Sequence, residues 1–219
     1  MIRTVPALAL FAALVPLHAA TAPLSGQYGP LLISVQGDLV TGALSQPRVG
    51  NGSDAAPQFS CAFQLAGHLK LGKAQVVTWY ADQTPTIAGV LTLDAGGAGL
   101  QLKDNQPGCA MSVGDMVDQP YQNGQDNADA GWIGTRLVAV PKAIIVAAPN
   151  ARPGRTPYVV QDDAVAVLAV QGDWIKIAYP GPTKLVQGWV KASELSSATP
   201  PATPSHAAGA STSGPRRGR

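Results

Sequence analysis

The sequence predicts an all-β protein with two folded units, and three observations support this fold class. Glycine and proline are abundant, with 24 and 19 residues in a chain of 219, which is typical of short strands separated by turns. Glu194 is the single glutamate among 13 acidic residues, whereas long surface helices are rich in glutamate and lysine. The apolar content of 46% and the net charge of +2 exclude a chain that is disordered throughout.

Residues 1–22 have the pattern of a secretory signal peptide. Arg3 supplies the positive charge and Val5–Val15 the apolar segment, and the small residues near the cleavage point are Ala19, Ala20 and Ala22. The apolar segment is shorter than the ~20 residues that span a bilayer, so we expect no membrane span in the mature protein. We therefore predict a periplasmic or secreted protein.

Residues 23–117 alternate short apolar runs with turns, which predicts a six-stranded antiparallel meander or small barrel. The clearest strand is Phe59–Ala66, where Phe59, Cys61, Phe63 and Leu65 fall on one face and smaller or polar residues on the other. The other predicted strands are Leu31–Val35, Leu39–Leu44, Gln75–Tyr80, Ile87–Leu93 and a last strand around Leu100 and Leu102.

The chain has two cysteines, Cys61 and Cys109, and both lie in the exported part. Because an oxidising compartment favours pairing, we predict one disulfide between them; the alternative is two buried thiols. Closing a loop of this length stabilises the fold by roughly 4 kcal/mol in the chain-entropy model.

Residues 118–131 are rich in Asp, Gln, Asn and Gly, which predicts a solvated linker between the units. A calcium loop is disfavoured there because a central glycine and a closing glutamate are missing. A second β-rich unit follows at 132–195, and the polar, Pro- and Ala-rich segment 196–219 is predicted to be a disordered tail. The strands predicted in the second unit are Leu137–Val140, Ala143–Ala147, Ala164–Val170, Trp174–Tyr179 and Gln187–Lys191.

The two units differ in charge. Residues 23–130 carry four basic and nine acidic side chains, whereas residues 131–196 carry seven basic and four acidic ones. This asymmetry either reflects different partners or is a chance division between two small solvated surfaces. The folded part is net acidic and lacks a basic aromatic stripe, so we expect no nucleic-acid partner.

The second unit contains a series of motifs in a recognisable order. They are Tyr158-Val159-Val160, then Ala164-Val165-Ala166-Val167-Leu168, then Gly172-Asp173-Trp174-Ile175-Lys176-Ile177, and finally Gly188-Trp189-Val190-Lys191-Ala192-Ser193-Glu194-Leu195. Over residues 132–195 the chain thus resembles the bacterial SH3-like domain family, whereas residues 23–117 resemble no family that we recognise. The resemblance implies a five-stranded, non-catalytic barrel that binds the cell wall or holds a partner domain.

Such a barrel offers a shallow groove, and we predict that it is lined by Tyr158, Trp174, Tyr179 and Trp189. The alternative is that these aromatic side chains fill a small core.

The sequence predicts that the protein is not an enzyme and that it needs no metal or cofactor. His68 is the only histidine in the predicted folded units, and one histidine without partners does not make a metal site. There is no Gly-x-Ser-x-Gly nucleophile motif, and a hairpin explains the glycines at 96–99 without a phosphate loop.

These observations favour an exported, non-enzymatic binding protein of the cell envelope, in which the SH3-like domain engages peptidoglycan or an envelope protein. The alternative is a periplasmic inhibitor or immunity protein whose acidic N-terminal unit neutralises a toxin or a cell-wall hydrolase.

Overall fold

The computed structural model describes residues 24–81, 86–129, 131–154, 156–181 and 184–202. The predicted signal peptide, 1–22, and residues 203–219 of the predicted tail lie outside these residues. The all-β prediction is confirmed: helical structure in the described residues is limited to one α-helical turn, Cys109–Ser112, and one 3₁₀ turn, Ala192–Glu194.

The first unit is a nine-stranded antiparallel sheet, in which each strand from β1 to β8 pairs with the next along the chain. Its first seven strands are β1 Gly26–Tyr28, β2 Leu31–Gln36, β3 Leu39–Val49, β4 Phe59–Lys70, β5 Lys73–Trp79, β6 Ile87–Asp94 and β7 Gly97–Leu102. The six predicted strands are all present, and β1 was not predicted.

The predicted linker 118–131 contributes the last two strands of this sheet, β8 Tyr121–Asn123 and β9 Asn127–Ala128. They pair at opposite ends of the strand order, β8 with β7 and β9 with β1, although only residues 124–126 separate these two strands in the chain. The sheet therefore curls until its two ends meet. The linker prediction is therefore wrong for these residues. The sequence carries no strand signal there, because both strands are short and polar and only Tyr121 among their residues is buried.

The core of the first unit lies on the concave side of this sheet, where Phe63, Leu65, Leu91 and Leu100 have no exposed surface. The predicted disulfide between Cys61 and Cys109 is confirmed, and it joins residues 48 positions apart. It attaches the one-turn helix to β4, and both cysteines belong to the same apolar core. The disulfide therefore closes a loop whose ends are already packed together.

The second unit contains a four-stranded antiparallel sheet in the order β10-β13-β14-β15, together with a two-stranded sheet of β11 and β12. Bridges from Val146 to Trp189 and from Val138 to Leu195 connect the parts. A core of mainly Val and Ile side chains lies between them. The strands are β10 Gly134–Leu137, β11 Lys142–Ile144, β12 Tyr158–Val160, β13 Ala164–Gln171, β14 Trp174–Pro180 and β15 Leu185–Lys191.

The two units meet at an apolar contact, which we call the seam. Trp132, 2% exposed, packs there with Leu32 of β2 and with a group of small side chains. These small side chains, which let the two sheets approach closely, are Ala43, Ala164, Ala166 and Ala178. Hydrogen bonds reinforce the seam: the buried Ser34 hydroxyl donates to the Trp132 carbonyl at 2.8 Å. The Gln64 amide donates to the Ser197 carbonyl, also at 2.8 Å, in a partly buried contact.

Candidate functional site

Strand geometry separates the four aromatic residues of the predicted groove. Trp174 and Tyr179 are both in β14, but they are an odd number of residues apart and therefore lie on opposite faces. Tyr179 packs against the core of the second unit, together with Val186 of β15. Tyr158 belongs to β12 in the two-stranded sheet. The four side chains thus do not line one face.

Trp174 and Trp189 do share a face, the outer side of β14 and β15. Trp174 is opposite Lys191, and Lys176 is opposite Trp189. The two indoles are therefore diagonal neighbours, a relation in which Cα atoms lie about 7–8 Å apart and large side chains can touch. We call these four residues the Trp–Lys face.

The Trp–Lys face presents apolar rings and positive charges together. Both indoles are half-buried, Lys176 is half-buried and Lys191 is exposed. Neither lysine belongs to an ion pair within the described part of the chain. The two ammonium groups are therefore available to an anion, and the rings beside them offer flat apolar surface.

The hydroxyl of Tyr179 faces a carboxylate. It donates to Asp163 Oδ1 at 3.4 Å, and the backbone N–H of Val160 donates to Asp163 Oδ2 at 2.8 Å. Burial, and then the charge of Asp163, raise the pKa of Tyr179 above its usual range. Burial likewise raises the pKa of Asp163. Tyr179 is thus neutral at physiological pH and holds its neighbour by a hydrogen bond.

Tyr158 makes a different contact. Its side chain is 54% exposed, and the ammonium of Lys142 lies 4.2 Å from the ring centroid. This cation–π pair is on the surface of the two-stranded sheet, where such contacts contribute about 0.5–1 kcal/mol.

The structure also brings together residues that sequence analysis missed. The turn Gln161–Asp163, between β12 and β13, reaches the first unit, where Tyr80 donates its hydroxyl to Asp162 Oδ2 at 3.3 Å. Burial, and then the charge of Asp162, raise the pKa of Tyr80. Clefts open on both sides of this turn, along the seam. Two adjacent aspartates in a β-turn were the available signal, but no sequence pattern places Tyr80 beside them.

A further cleft, of about 520 Å³, lies at the β6–β7 hairpin. Four of its nine lining residues are glycines, and its carboxylate, Asp94, already accepts a hydrogen bond from the Gly96 N–H at 2.7 Å. Its other polar side chains, Thr92, Gln122 and Asn123, are uncharged.

His68 lies in β4 and contacts Asp38, with 3.1 Å between Nδ1 and Oδ2. Both side chains are about three-quarters exposed, at 74% and 75%. In the described ranges, no three His, Cys, Asp or Glu residues are grouped so that they could hold a metal ion.

No protein-family model matches this chain, and comparison with the curated proteins and with the solved structures gives no match. Within the residues that the structure describes, no helix has the length and apolar character needed to cross a bilayer.

Proposed function

We propose that the protein is an exported, non-enzymatic binding protein of the cell envelope, and that the Trp–Lys face binds peptidoglycan. The observation that carries the proposal is the alternation of indole and ammonium groups across β14 and β15. The resemblance of residues 132–195 to SH3-like domains and the signal-peptide pattern of residues 1–22 support the same function.

The chemistry of the ligand fits this alternation. Glycan chains present flat C–H surfaces that pack on aromatic rings, and the peptides attached to them carry carboxylates. Charge-assisted hydrogen bonds from ammonium to carboxylate are stronger than neutral ones, and they fix the orientation of the ligand. The basic excess of the second unit adds long-range attraction for an anionic polymer.

Co-sedimentation with purified peptidoglycan at low and at moderate salt tests the proposal. We expect the double variant Trp174→Ala/Trp189→Ala to lower the retained fraction at least tenfold, because it removes both rings. Lys176→Gln/Lys191→Gln should lower retention and weaken its dependence on salt. The matched control is Lys70→Gln/Lys73→Gln, which removes two exposed lysines from the first unit and should leave retention unchanged.

Retention that is unchanged in both face variants would overturn the proposal. So would equal loss in the Lys70→Gln/Lys73→Gln control, because binding would then follow net charge rather than the Trp–Lys face. Circular dichroism of each variant verifies that the fold is retained.

A further inference from the structure

A cleft at the seam lies between the two units and contains none of the Trp–Lys face residues. It has a volume of about 440 Å³, within the range of small-molecule sites. One wall is Ser45–Arg48 of β3 with Ser60–Ala62 of β4, and the other is Val160–Asp163. We call it the seam cleft.

The first wall is opened by an irregularity in the β3–β4 ladder. The register shifts between Gln46 and Val49, so Pro47 and Arg48 stand outside regular pairing. Arg48 is exposed and belongs to no ion pair in the described ranges. Its guanidinium is therefore available to a ligand in the cleft.

The second wall carries the opposite charge. Asp162 and Asp163 are half-buried, and each carboxylate is close to a phenol, Tyr80 for the first and Tyr179 for the second. Both aspartates line the seam cleft, and an ammonium group beside them gains ionic attraction and charge-assisted hydrogen bonds.

The two walls are held at a fixed separation. Gln64, 2% exposed, accepts hydrogen bonds from the N–H of Leu137 and from the hydroxyl of Ser196. With the apolar contacts around Trp132, this connects the two units through buried groups. The backbones of the two walls are thus already packed together before a ligand binds.

We propose that the seam cleft binds a short zwitterionic peptide, with its α-ammonium group at Asp162 and Asp163 and its carboxylate at Arg48. Opposite charges that face one cleft without neutralising each other match a ligand that carries both charges. Arginine suits the carboxylate because its planar fork donates two parallel hydrogen bonds. This site is independent of the proposed peptidoglycan binding.

Calorimetric titration of the full chain at low salt with trialanine tests the proposal. The comparison peptides are N-acetyl-trialanine, which lacks the ammonium group, and trialanine amide, which lacks the carboxylate. We expect trialanine to bind and each blocked peptide to bind at least tenfold more weakly.

Two variants assign the charges. Arg48→Gln should weaken trialanine binding at least tenfold, but it should leave the already weak binding of trialanine amide unchanged. Asp162→Asn should also weaken trialanine binding at least tenfold, but it should leave the already weak binding of N-acetyl-trialanine unchanged. The Asp162 φ of 71° suits asparagine, which tolerates left-handed backbone, so this variant is expected to fold. The matched controls Arg152→Gln and Asp173→Asn remove exposed charges from the second unit and should change nothing.

Absence of trialanine binding, equal affinity for all three peptides, or affinity unchanged in Arg48→Gln and Asp162→Asn would each overturn the proposal. Trp174→Ala/Trp189→Ala should bind trialanine as the natural chain does. A failure of the seam cleft is therefore distinguishable from a failure of peptidoglycan binding.

Discussion

The first unit buries aromatic residues in its core, whereas the second unit keeps two of its indoles on an outer face. In the first unit Tyr28, Phe63 and Trp79 are at most 2% exposed. In the second unit Trp174 and Trp189 are half-buried on the outer face of a sheet, while Trp132 is buried at the seam. The core of the second unit is built instead from branched aliphatic side chains, mainly Val and Ile.

The difference shows that the core of the second unit is filled without these two indoles. Gly188 of β15 illustrates how tight the second core is, because a Cβ there would lie 2.5 Å from Ile145 Cγ2. An indole pointing inward at a neighbouring position would overfill such a core, which typically costs about 1–3 kcal/mol. Trp174 and Trp189 are therefore not needed to fill this core, which is compatible with the peptidoglycan binding proposed for the Trp–Lys face.

The largest expected effect tests this contrast directly. Phe63→Ala should destabilise the protein by about 4–5 kcal/mol, because Phe63 has no exposed surface and its removal leaves a cavity. Trp174→Ala should cost only about 1–2 kcal/mol, because part of the ring is already in water. Urea denaturation of both variants measures the two values. Equal losses of unfolding free energy would show that Trp174 is a core residue, and they would contradict the difference drawn between the two units.

Loss of the disulfide is the next largest effect. Cys61→Ala/Cys109→Ala should lower the free energy of unfolding by about 4 kcal/mol, because the unfolded chain gains conformational entropy when the link between residues 48 positions apart is removed. Amide hydrogen exchange should increase most in β4 and in the helix Cys109–Ser112. If protection in β13 and β14 fell by the same amount, the two units would have to unfold as one body.

The smallest effect concerns the seam. Gln64→Ala removes three hydrogen bonds, one with Leu137 of the second unit and two with Ser196 and Ser197 directly after it, and should cost about 2 kcal/mol. Gln75→Ala in the neighbouring strand β5 is the matched control, since Gln75 is exposed and should change stability by less than about 0.5 kcal/mol. Chemical denaturation compares the two. A Gln64→Ala loss no greater than the control would mean that the apolar contacts alone join the units.

Part of the candidate site could be predicted from the sequence. Alternation along β14 already requires Trp174 and Tyr179 to point to opposite faces, so a groove lined by both was not compatible with one regular strand. The pairing of Trp174 with Lys191 could not be predicted, because the β14–β15 register depends on the hairpin between them. Arg48 and Asp162 are more than a hundred positions apart, and no local pattern connects them.

The sequence by itself determined the all-β class, the disulfide and most of the strands. Turn residues, side-chain alternation and the count of two cysteines are local or compositional properties that need no knowledge of neighbours. Only the tertiary structure decided that residues 118–131 complete the first sheet and that a mixed-charge cleft forms at the seam. The physical reason is that pairing and packing join segments far apart in the chain, where backbone hydrogen bonds and the close approach of small residues outweigh local polarity.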